Sequence, residues 1–358
     1  MENQLLNLQA DKIEMVLAAH KASARVWGGR LTPRTVQFHL APAAETKIAK
    51  LETLTEEIAL ALGAPSARLT RTNGTLSLEV PRADSRFVTL AELSRRLQSD
   101  AQLARALAVP GTAILGLDAE GVPLLLRLPS PDVAHVLIAG TTGSGKTELA
   151  RTMIASLIEN QKLRDLQIAL FDPKAHSFDA FAHAAHLLFP IVREPAETLA
   201  RIRRLVAEME RRETERSTRP QIVVVLDELA DLLQTCGSEL EAQIARLVQR
   251  GRSAGFSVIA CTQKPAARIV GSLVKANFPV RLVGRVASAD DARVAAGIGG
   301  TGAEKLAGRG DFLLVASGQV IRFQAAHLGA QSVALPTQAE ADAPGFRARM
   351  MANLRRVK

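Results

Sequence analysis

Gly140-Thr141-Thr142-Gly143-Ser144-Gly145-Lys146-Thr147 follows the apolar run 136–139 and leads into a helical pattern. The spacing G-x-x-x-x-G-K-T between a strand and a helix is typical of a phosphate-binding loop. In such a loop the glycines let backbone N–H groups close around phosphates, Lys146 reaches the terminal phosphates, and the Thr147 hydroxyl faces Mg²⁺. The sequence therefore predicts a nucleotide site at residues 140–148, with Glu148 in the first helical turn.

Strand and helix patterns alternate on both sides of this loop, from about residue 109 to residue 330. Such alternation is typical of an α/β domain with a mainly parallel sheet covered by helices on both faces. The predicted strands are 136–139, 167–171, 221–226, 256–262, 279–286, 311–315 and 319–325, and the predicted helices are 146–160, 195–216 and 239–253. Ser238 and Glu241 form a capping-box pattern at the start of the last helix. A basic tail is predicted at residues 331–358.

The chain before this domain reads as a small α/β module, predicted to span residues 1–108. Residues 35–40 alternate as a half-buried strand, and apolar residues recur at helical spacing over 48–62. Asn73-Gly74 lies between two strand patterns and indicates a hairpin. Thr89 with Glu92 forms a capping-box pattern for a helix that reaches about residue 107.

Two adjacent carboxylates, Asp227 and Glu228, follow the apolar strand 222–226. A phosphate-binding loop needs such acids on a neighbouring strand: Asp227 would hold the Mg²⁺ shell through water, and Glu228 would orient and deprotonate the attacking water. The pair therefore indicates hydrolysis as well as binding. Gln263 ends the strand expected beside this one, where its amide could hydrogen-bond the terminal phosphate or its water. Asp172 also ends a strand, and a role at the site and a plain strand end remain equally open.

Charge and composition narrow the class of partner. The formal net charge of +9 indicates a polyanion, with nucleic acid first and an acidic membrane surface second. The chain has no tyrosine and a single tryptophan, which disfavours stacking on single-stranded bases and favours tracking of a duplex backbone. The start lacks a leader pattern, and charge or proline interrupts the apolar runs, so we expect a cytoplasmic chain without membrane insertion. Cys236 and Cys261 are far apart, which disfavours a metal knuckle and fits a reducing compartment.

Many short motifs, in one order along the chain, give the sequence a family likeness. They are residues 135–146, 172–174, 208–212, 225–232, 250–256, 262–265, 275–279 and 308–312, and the segment 47–64 adds the helix of an α subdomain. With these motifs the chain resembles the FtsK/SpoIIIE family of hexameric DNA translocases from about residue 36 to residue 327.

The resemblance implies a RecA-like P-loop NTPase core preceded by an α subdomain, with ATP and Mg²⁺ as ligands. It implies a homo-oligomeric ring, a hexamer, that pumps double-stranded DNA without reading its sequence. Arg252 matches the family's arginine that reaches a neighbour's nucleotide, with Arg281, Arg285 and Arg293 as fallback candidates. The candidate DNA contacts are the basic clusters Arg211, Arg212, Arg216 and Arg219, and Lys305 and Arg309.

Some family features are absent from the sequence. The segment 286–289 reads V-A-S-A where the family often has V-S-S-K. Nothing resembles the family's membrane-spanning region or its winged-helix module, so we expect a bare motor, with anchoring or DNA orientation supplied by a partner protein. Two alternatives stay open: a secretion ATPase of the same family that moves polypeptide, and a nonmotor protein in which nucleotide gates a DNA-binding assembly.

Overall fold

The computed structural model describes residues 2–32, 35–72, 74–82, 87–174, 176–263 and 277–329. The chain divides into two compact units, Met1–Phe87 and Val88–Lys358. The sequence predicted this boundary at residue 108. It lies about twenty residues earlier, because the helical segment around 90–107 packs on the sheet of the second unit. Asn73 of the predicted hairpin and the predicted tail 331–358 lie outside the described residues.

The first unit is a small α/β module, as predicted. Its four strands form an antiparallel sheet in the order β1-β2-β4-β3. Its elements are α1 (Glu2–Ala19), β1 (Ala24–Leu31), β2 (Thr35–Pro42), α2 (Ile48–Thr53), α3 (Thr55–Leu62), β3 (Arg68–Thr72) and β4 (Thr75–Pro81). Ile13 and Leu17 of α1 pack in one apolar cluster with Phe38 and Leu78 of the sheet and Ile58 of α3. The sequence reading missed α1 and β1.

The second unit is built on a nine-stranded sheet in the order β6-β5-β13-β12-β11-β7-β10-β9-β8. Its strands are β5 (Thr112–Asp118), β6 (Pro123–Arg127), β7 (Val136–Ala139), β8 (Leu166–Phe171), β9 (Gln221–Leu226), β10 (Phe256–Thr262), β11 (Val280–Val283), β12 (Asp311–Ala316) and β13 (Gln319–Ala325). The five strands from β11 to β8 are parallel, and the remaining pairings are antiparallel. The predicted α/β fold class is confirmed, although the sheet carries an antiparallel half that the sequence did not reveal.

Helices cover both faces of this sheet. They are α4 (Leu90–Ser99), α5 (Ala101–Leu107), α6 (Lys146–Asn160), α7 (Pro195–Glu215), α8 (Leu229–Arg250) and α9 (Ala289–Ala296). One apolar layer includes α7 and α8, and the other includes α4 and α6. The capping box of Thr89 and Glu92 is present at the start of α4. The predicted helix start at Ser238 coincides with an interruption at Gly237 (φ 73°), but α8 already begins at Leu229.

The register of the parallel strands fixes where the candidate site lies. Thr262 is opposite Ala139, and Ala260 is opposite Leu226. The carboxyl ends of β7, β9 and β10 therefore meet at one edge of the sheet, which is where open α/β sheets bind their ligands.

Among the described residues, none of the helices is both long enough and apolar enough to cross a bilayer.

Candidate active site

Lys146 is the first residue of α6 and is held between the two predicted acids. Its side chain is 5% exposed, and its Nζ lies 3.5 Å from Asp227 Oδ1 and 3.8 Å from Glu228 Oε2. Burial opposes the charge of the ammonium, but Cys261 and the carboxylates of Asp227 and Glu228 together outweigh it, and the pKa of Lys146 is raised. The lysine is therefore a buried cation, ready for a negatively charged ligand.

The phosphate loop is fixed by backbone hydrogen bonds on both sides. The Thr141 amide donates to the carbonyl of Arg285 at 2.8 Å, while the amides of Arg309 and Gly310 donate to the carbonyls of Gly143 (3.0 Å) and Ser144 (2.8 Å). Gly145, the N-cap of α6, has φ 97° and offers no side-chain cap to the helix. A Cβ on Gly145 would lie 2.7 Å from the Gly310 amide nitrogen. Glycine is required here by conformation and by space.

Asp227 and Glu228 lie where β9 ends and α8 begins, and both are buried. Glu228 has left-handed backbone angles (φ 55°, ψ 66°), a conformation that costs a non-glycine residue about 1–3 kcal/mol. Burial alone would raise the pKa of Glu228, but hydrogen bonds from the Gln263 amide and from Lys174, with the charge of Lys146, outweigh burial and lower it. Glu228 is therefore held as a carboxylate.

Gln263, directly after β10, joins the phosphate loop to the acid pair. Its predicted hydrogen bond to the terminal phosphate or the attacking water stays a prediction. Its side-chain Oε1 accepts a hydrogen bond from Thr142 Oγ1 at 3.1 Å. Its backbone amide donates to Glu228 Oε1 at 2.9 Å, and Thr262 Oγ1 donates to the same oxygen at 3.1 Å. A change in the phosphate loop can therefore reach the position of Glu228 through a single residue.

Sequence reasoning missed two site residues in the segment that follows β8. Lys174 Nζ lies 3.0 Å from Glu228 Oε2, and Ser177 Oγ donates to Asp227 Oδ2 at 2.9 Å. The order of strands explains both contacts, because β8 pairs with β9 in parallel and the residues after the two strands emerge side by side. A signal for Lys174 was present in the motif 172–174, whereas Ser177 had none. Asp172 is buried, and it accepts a hydrogen bond from the Phe178 amide.

The donor set fits Mg²⁺ held largely through water. Asp227 Oδ1 is buried and accepts no hydrogen bond from the described residues, and the Lys146 ammonium lies 3.5 Å from it, so this oxygen is open to a metal's water shell once Lys146 moves. Thr147 is half-buried at the end of the phosphate loop. The described residues contain no group of three or more His, Cys, Asp or Glu that could bind an ion directly. Mg²⁺ ordinarily keeps several waters and takes one or two protein oxygens beside substrate phosphates.

Glu148 is engaged in contacts that hold the fold. Its Oε1 accepts a hydrogen bond from the Leu328 amide at 3.0 Å, and its Oε2 lies 3.2 Å from Arg151 Nη1. Its predicted contact with nucleotide stays a prediction. Cys261 is fully buried in β10, where it packs in the core, and burial raises the pKa of its thiol to about 12.

Arg252 lies at the opposite edge of the sheet from its own phosphate loop. It is exposed in the short turn Gly251–Ala254, just before β10 begins. The 7 residues of β10 span roughly 20 Å at the usual rise per residue. Arg252 cannot reach the nucleotide site of its own chain. Action on a neighbour's nucleotide remains a prediction.

Two other arginines are unavailable for the roles considered for them. Arg281, a fallback candidate, is buried and donates to the carbonyls of Phe278, Val294 and Ala295. Arg212 is 2% exposed. Its Nε lies 2.8 Å from Glu208 Oε1, and its Nη1 donates to the Pro220 carbonyl at 2.7 Å. The prediction that Arg212 contacts DNA is wrong, because a buried arginine that ties α7 to the sheet cannot reach a ligand.

His135, beside the Arg252 turn, makes stability sensitive to pH. The buried imidazole accepts a hydrogen bond from the Val258 amide at 3.0 Å. Burial lowers its pKa from 6.5 to about 4, against a raising effect of a hydrogen bond with the Val248 backbone, and the charge of Arg252 lowers it further. Between these values the unfolded chain binds more protons than the folded chain, so falling pH favours unfolding. We expect His135 to lower the free energy of unfolding by about 2 kcal/mol between about pH 7 and pH 5.

Thermal unfolding at the two pH values measures this effect. His135→Gln should reduce the pH dependence, whereas His183→Gln, at an exposed position, should leave it unchanged. An identical pH dependence in His135→Gln and the wild type would show that His135 is not the titrating group.

Comparison with known families agrees with this geometry. The model of the FtsK alpha domain matches residues 1–82, and the model of the FtsK/SpoIIIE family matches residues 97–217 and 213–267. The DNA translocase FtsK of Halalkalibacterium halodurans is 32% identical over 364 residues, covering 93% of this chain and 45% of that protein. The DNA translocase FtsK of Staphylococcus aureus is 33% identical over 353 residues, covering 90% and 43%. The chain thus spans less than half the length of these relatives.

Solved structures share the fold. The pCW3 conjugation coupling protein TcpA superposes with a TM-score of 0.60 at 16% identity, covering 96% of this chain and 99% of that one. The cytoplasmic domain of the Thermomonospora curvata Type VII secretion ATPase EccC gives a TM-score of 0.55 at 26% identity, covering 63% and 30%. The phosphate loop, the acid pair and the matches along both units lead to one conclusion: the chain belongs to the FtsK/SpoIIIE family.

Proposed function

We propose that this chain binds ATP with Mg²⁺ at the phosphate loop and hydrolyses it. The observation that carries the proposal is the buried constellation of Lys146, Asp227 and Glu228 at the carboxyl edge of the sheet. A buried lysine within 4 Å of two buried carboxylates is explained if a phosphate group takes up the lysine on binding and the acids then bind water and the metal shell.

Each residue has a role that its position supports. Lys146 leaves the two carboxylates and contacts the terminal phosphates, where its charge offsets the charge of the transferring group. Glu228 orients the attacking water and accepts its proton, while Asp227 and Thr147 hold the metal's shell. Mg²⁺, when bound, neutralises charge on the phosphate oxygens. Gln263 is hydrogen-bonded to Thr142 and to Glu228, so it can transmit the presence of the terminal phosphate to Glu228.

We propose further that hydrolysis drives the movement of double-stranded DNA through a hexameric ring of this chain. Two relatives at 32% and 33% identity are DNA translocases by name, and the net charge of +9 suits a polyanion. Arg252, exposed at the sheet edge opposite the phosphate loop, suits a ring in which one copy completes the site of the next. The phosphate backbone carries no base information, so binding is largely independent of sequence.

Duplex DNA should raise the ATPase rate of the purified chain. We expect the stimulation to be similar for duplexes of unrelated sequence and to fall steeply with salt, because Lys and Arg displace counterions from phosphates. Phosphate release measured with long duplex, without it, and with added salt tests this, and particle images with a nonhydrolysable nucleotide test the ring. An unchanged rate with and without duplex would contradict the DNA proposal.

A second candidate is movement of polypeptide. The likeness to the Type VII secretion ATPase EccC favours it, since that chain shares the fold at 26% identity. This candidate predicts an ATPase that responds to a peptide substrate and ignores duplex. A third outcome, hydrolysis without displacement of a triplex-forming strand from duplex, would indicate a nonmotor assembly protein.

A further inference from the structure

Lys174 contacts two carboxylates that differ in role and in exposure. Its Nζ lies 3.0 Å from Glu228 Oε2 and 3.7 Å from Asp231 Oδ2. Glu228 is 3% exposed, whereas Asp231 is 49% exposed and Lys174 itself is 39% exposed. The lysine is therefore half-exposed at the border of the site. It contacts one buried acceptor, Glu228, and one solvent-exposed acceptor, Asp231.

Both oxygens of Glu228 are occupied in this arrangement. Oε1 accepts hydrogen bonds from Thr262 Oγ1 and the Gln263 amide, and Oε2 faces Lys174, with Lys146 at 3.8 Å. A general base must be within hydrogen-bond reach of the water whose proton it takes. The Lys174 ammonium at Glu228 Oε2 occupies the position where that water would bind. Glu228 is thus intact in structure but blocked for catalysis.

Asp231 offers Lys174 another place without loss of an ion pair. It is in the first turn of α8, three residues after Glu228, and its Oδ2 already lies 3.7 Å from Lys174 Nζ. Lysine has a flexible stem and three donors, and it can exchange between two carboxylates this close together. Lys146 moves to the phosphates when nucleotide binds, so Lys174 alone then decides whether Oε2 is open.

We infer that Lys174 is a positioning residue that blocks Glu228 in the resting site and moves to Asp231 when the site is ready for hydrolysis. The inference rests on the proposed ATPase function. It adds a restraint that keeps ATP from being hydrolysed before duplex or a neighbouring copy completes the site.

The rate of ATP turnover in Lys174 variants distinguishes a restraint on Glu228 from a role in supporting it. Lys174→Met should raise the duplex-independent kcat about tenfold with KM unchanged, since one charge-assisted hydrogen bond no longer holds the base. Asp231→Asn should act in the opposite direction and lower the duplex-stimulated kcat, because the second acceptor of Lys174 loses its negative charge. Lys174→Arg, which keeps the positive charge, should keep the duplex-independent kcat as low as in the wild type. Lys162→Met and Asp132→Asn, both at exposed positions, are the matched controls and should change neither value.

A double-mutant cycle measures the contact without any turnover. Thermal unfolding of Lys174→Met, Glu228→Gln and their combination should show non-additive shifts in Tm of about 2–4 °C in the nucleotide-free protein. With adenosine 5′-(β,γ-imido)triphosphate and Mg²⁺ that coupling should fall toward zero. The matching cycle of Lys174→Met with Asp231→Asn should then gain coupling.

Two results would overturn the restraint: a kcat lowered in Lys174→Met, or a Lys174–Glu228 coupling that the nucleotide analogue leaves unchanged. Loss of the proposed function would look different. In that case the wild type itself would show no ATP turnover under any condition, whereas failure of the restraint alone leaves wild-type turnover in place.

Discussion

Glu228→Gln should reduce ATP turnover by roughly three orders of magnitude while nucleotide binding persists. Glutamine keeps the size of the side chain and can still accept hydrogen bonds from the Gln263 amide and Thr262 through its carbonyl oxygen. It cannot accept the proton of the attacking water. Phosphate release gives the rate, and the titration of a fluorescent ATP analogue gives the affinity.

Lys146→Ala should fail for another reason and should lose binding as well as turnover. The ammonium is the buried cation nearest the acid pair, and without it the phosphates lose their charge partner while Asp227 and Glu228 remain as buried like charges. Glu159→Gln, on the exposed side of α6, is the matched control for Glu228→Gln and should retain turnover. Full turnover by both site variants would remove the site assignment.

Arg252→Ala should lower turnover by roughly three orders of magnitude in a uniform assembly, the effect of removing an arginine that acts on a transferring phosphate. Its position before β10, at the edge away from the phosphate loop, excludes its own site, so under the proposed ring the loss would fall on a neighbour's nucleotide. The fold should be unaffected, because the side chain is exposed.

Mixing two inactive variants tests the action between copies. An Arg252→Ala copy has an intact phosphate loop, and a Lys146→Ala copy has an intact Arg252. Where the two meet in the right order, one complete site forms, so the mixture should hydrolyse ATP although neither protein does so alone. Arg164→Ala, at a 73% exposed arginine, is the matched control and should remain active by itself. A mixture that stays inactive, in the presence of confirmed mixed assemblies, would exclude action between copies.

The nucleotide site was predictable because its signals are local. Each of its main residues follows a short apolar strand, and the parallel pairing of β7, β9 and β10 brings those strand ends together. Long helices such as α7 were predictable for the same reason. What failed depended on distant contacts. The antiparallel half of the sheet was not foreseen, since β5 and β6 follow weak patterns and β13 pairs with β5 across most of the unit.

The sequence around Arg212 already indicated that this side chain is buried, but the net charge of the chain was given more weight. Leu205, Glu208, Met209 and Arg212 recur at helical spacing and are all buried, so the phase of α7 already placed the arginine on the inner face. Net charge favoured DNA contact instead. Arg212 is stabilised inside by Glu208 and by the Phe256 ring, with Cζ 5.2 Å from the ring centroid. No sequence pattern predicts a ring that arrives from another part of the chain.

The bonds between residues 308–310 and the phosphate loop also form a mechanical connection. The Ala325 amide, at the end of β13, donates to the Gly310 carbonyl at 2.7 Å, and the Gly310 amide donates to the Ser144 carbonyl at 2.8 Å. Two hydrogen bonds in series therefore join the end of β13 to the phosphate loop, beside the bonds that tie residues 326–328 to Leu115, Val88 and Glu148. We expect a displacement of the end of β13 to shift the backbone of the phosphate loop and to change its affinity for nucleotide.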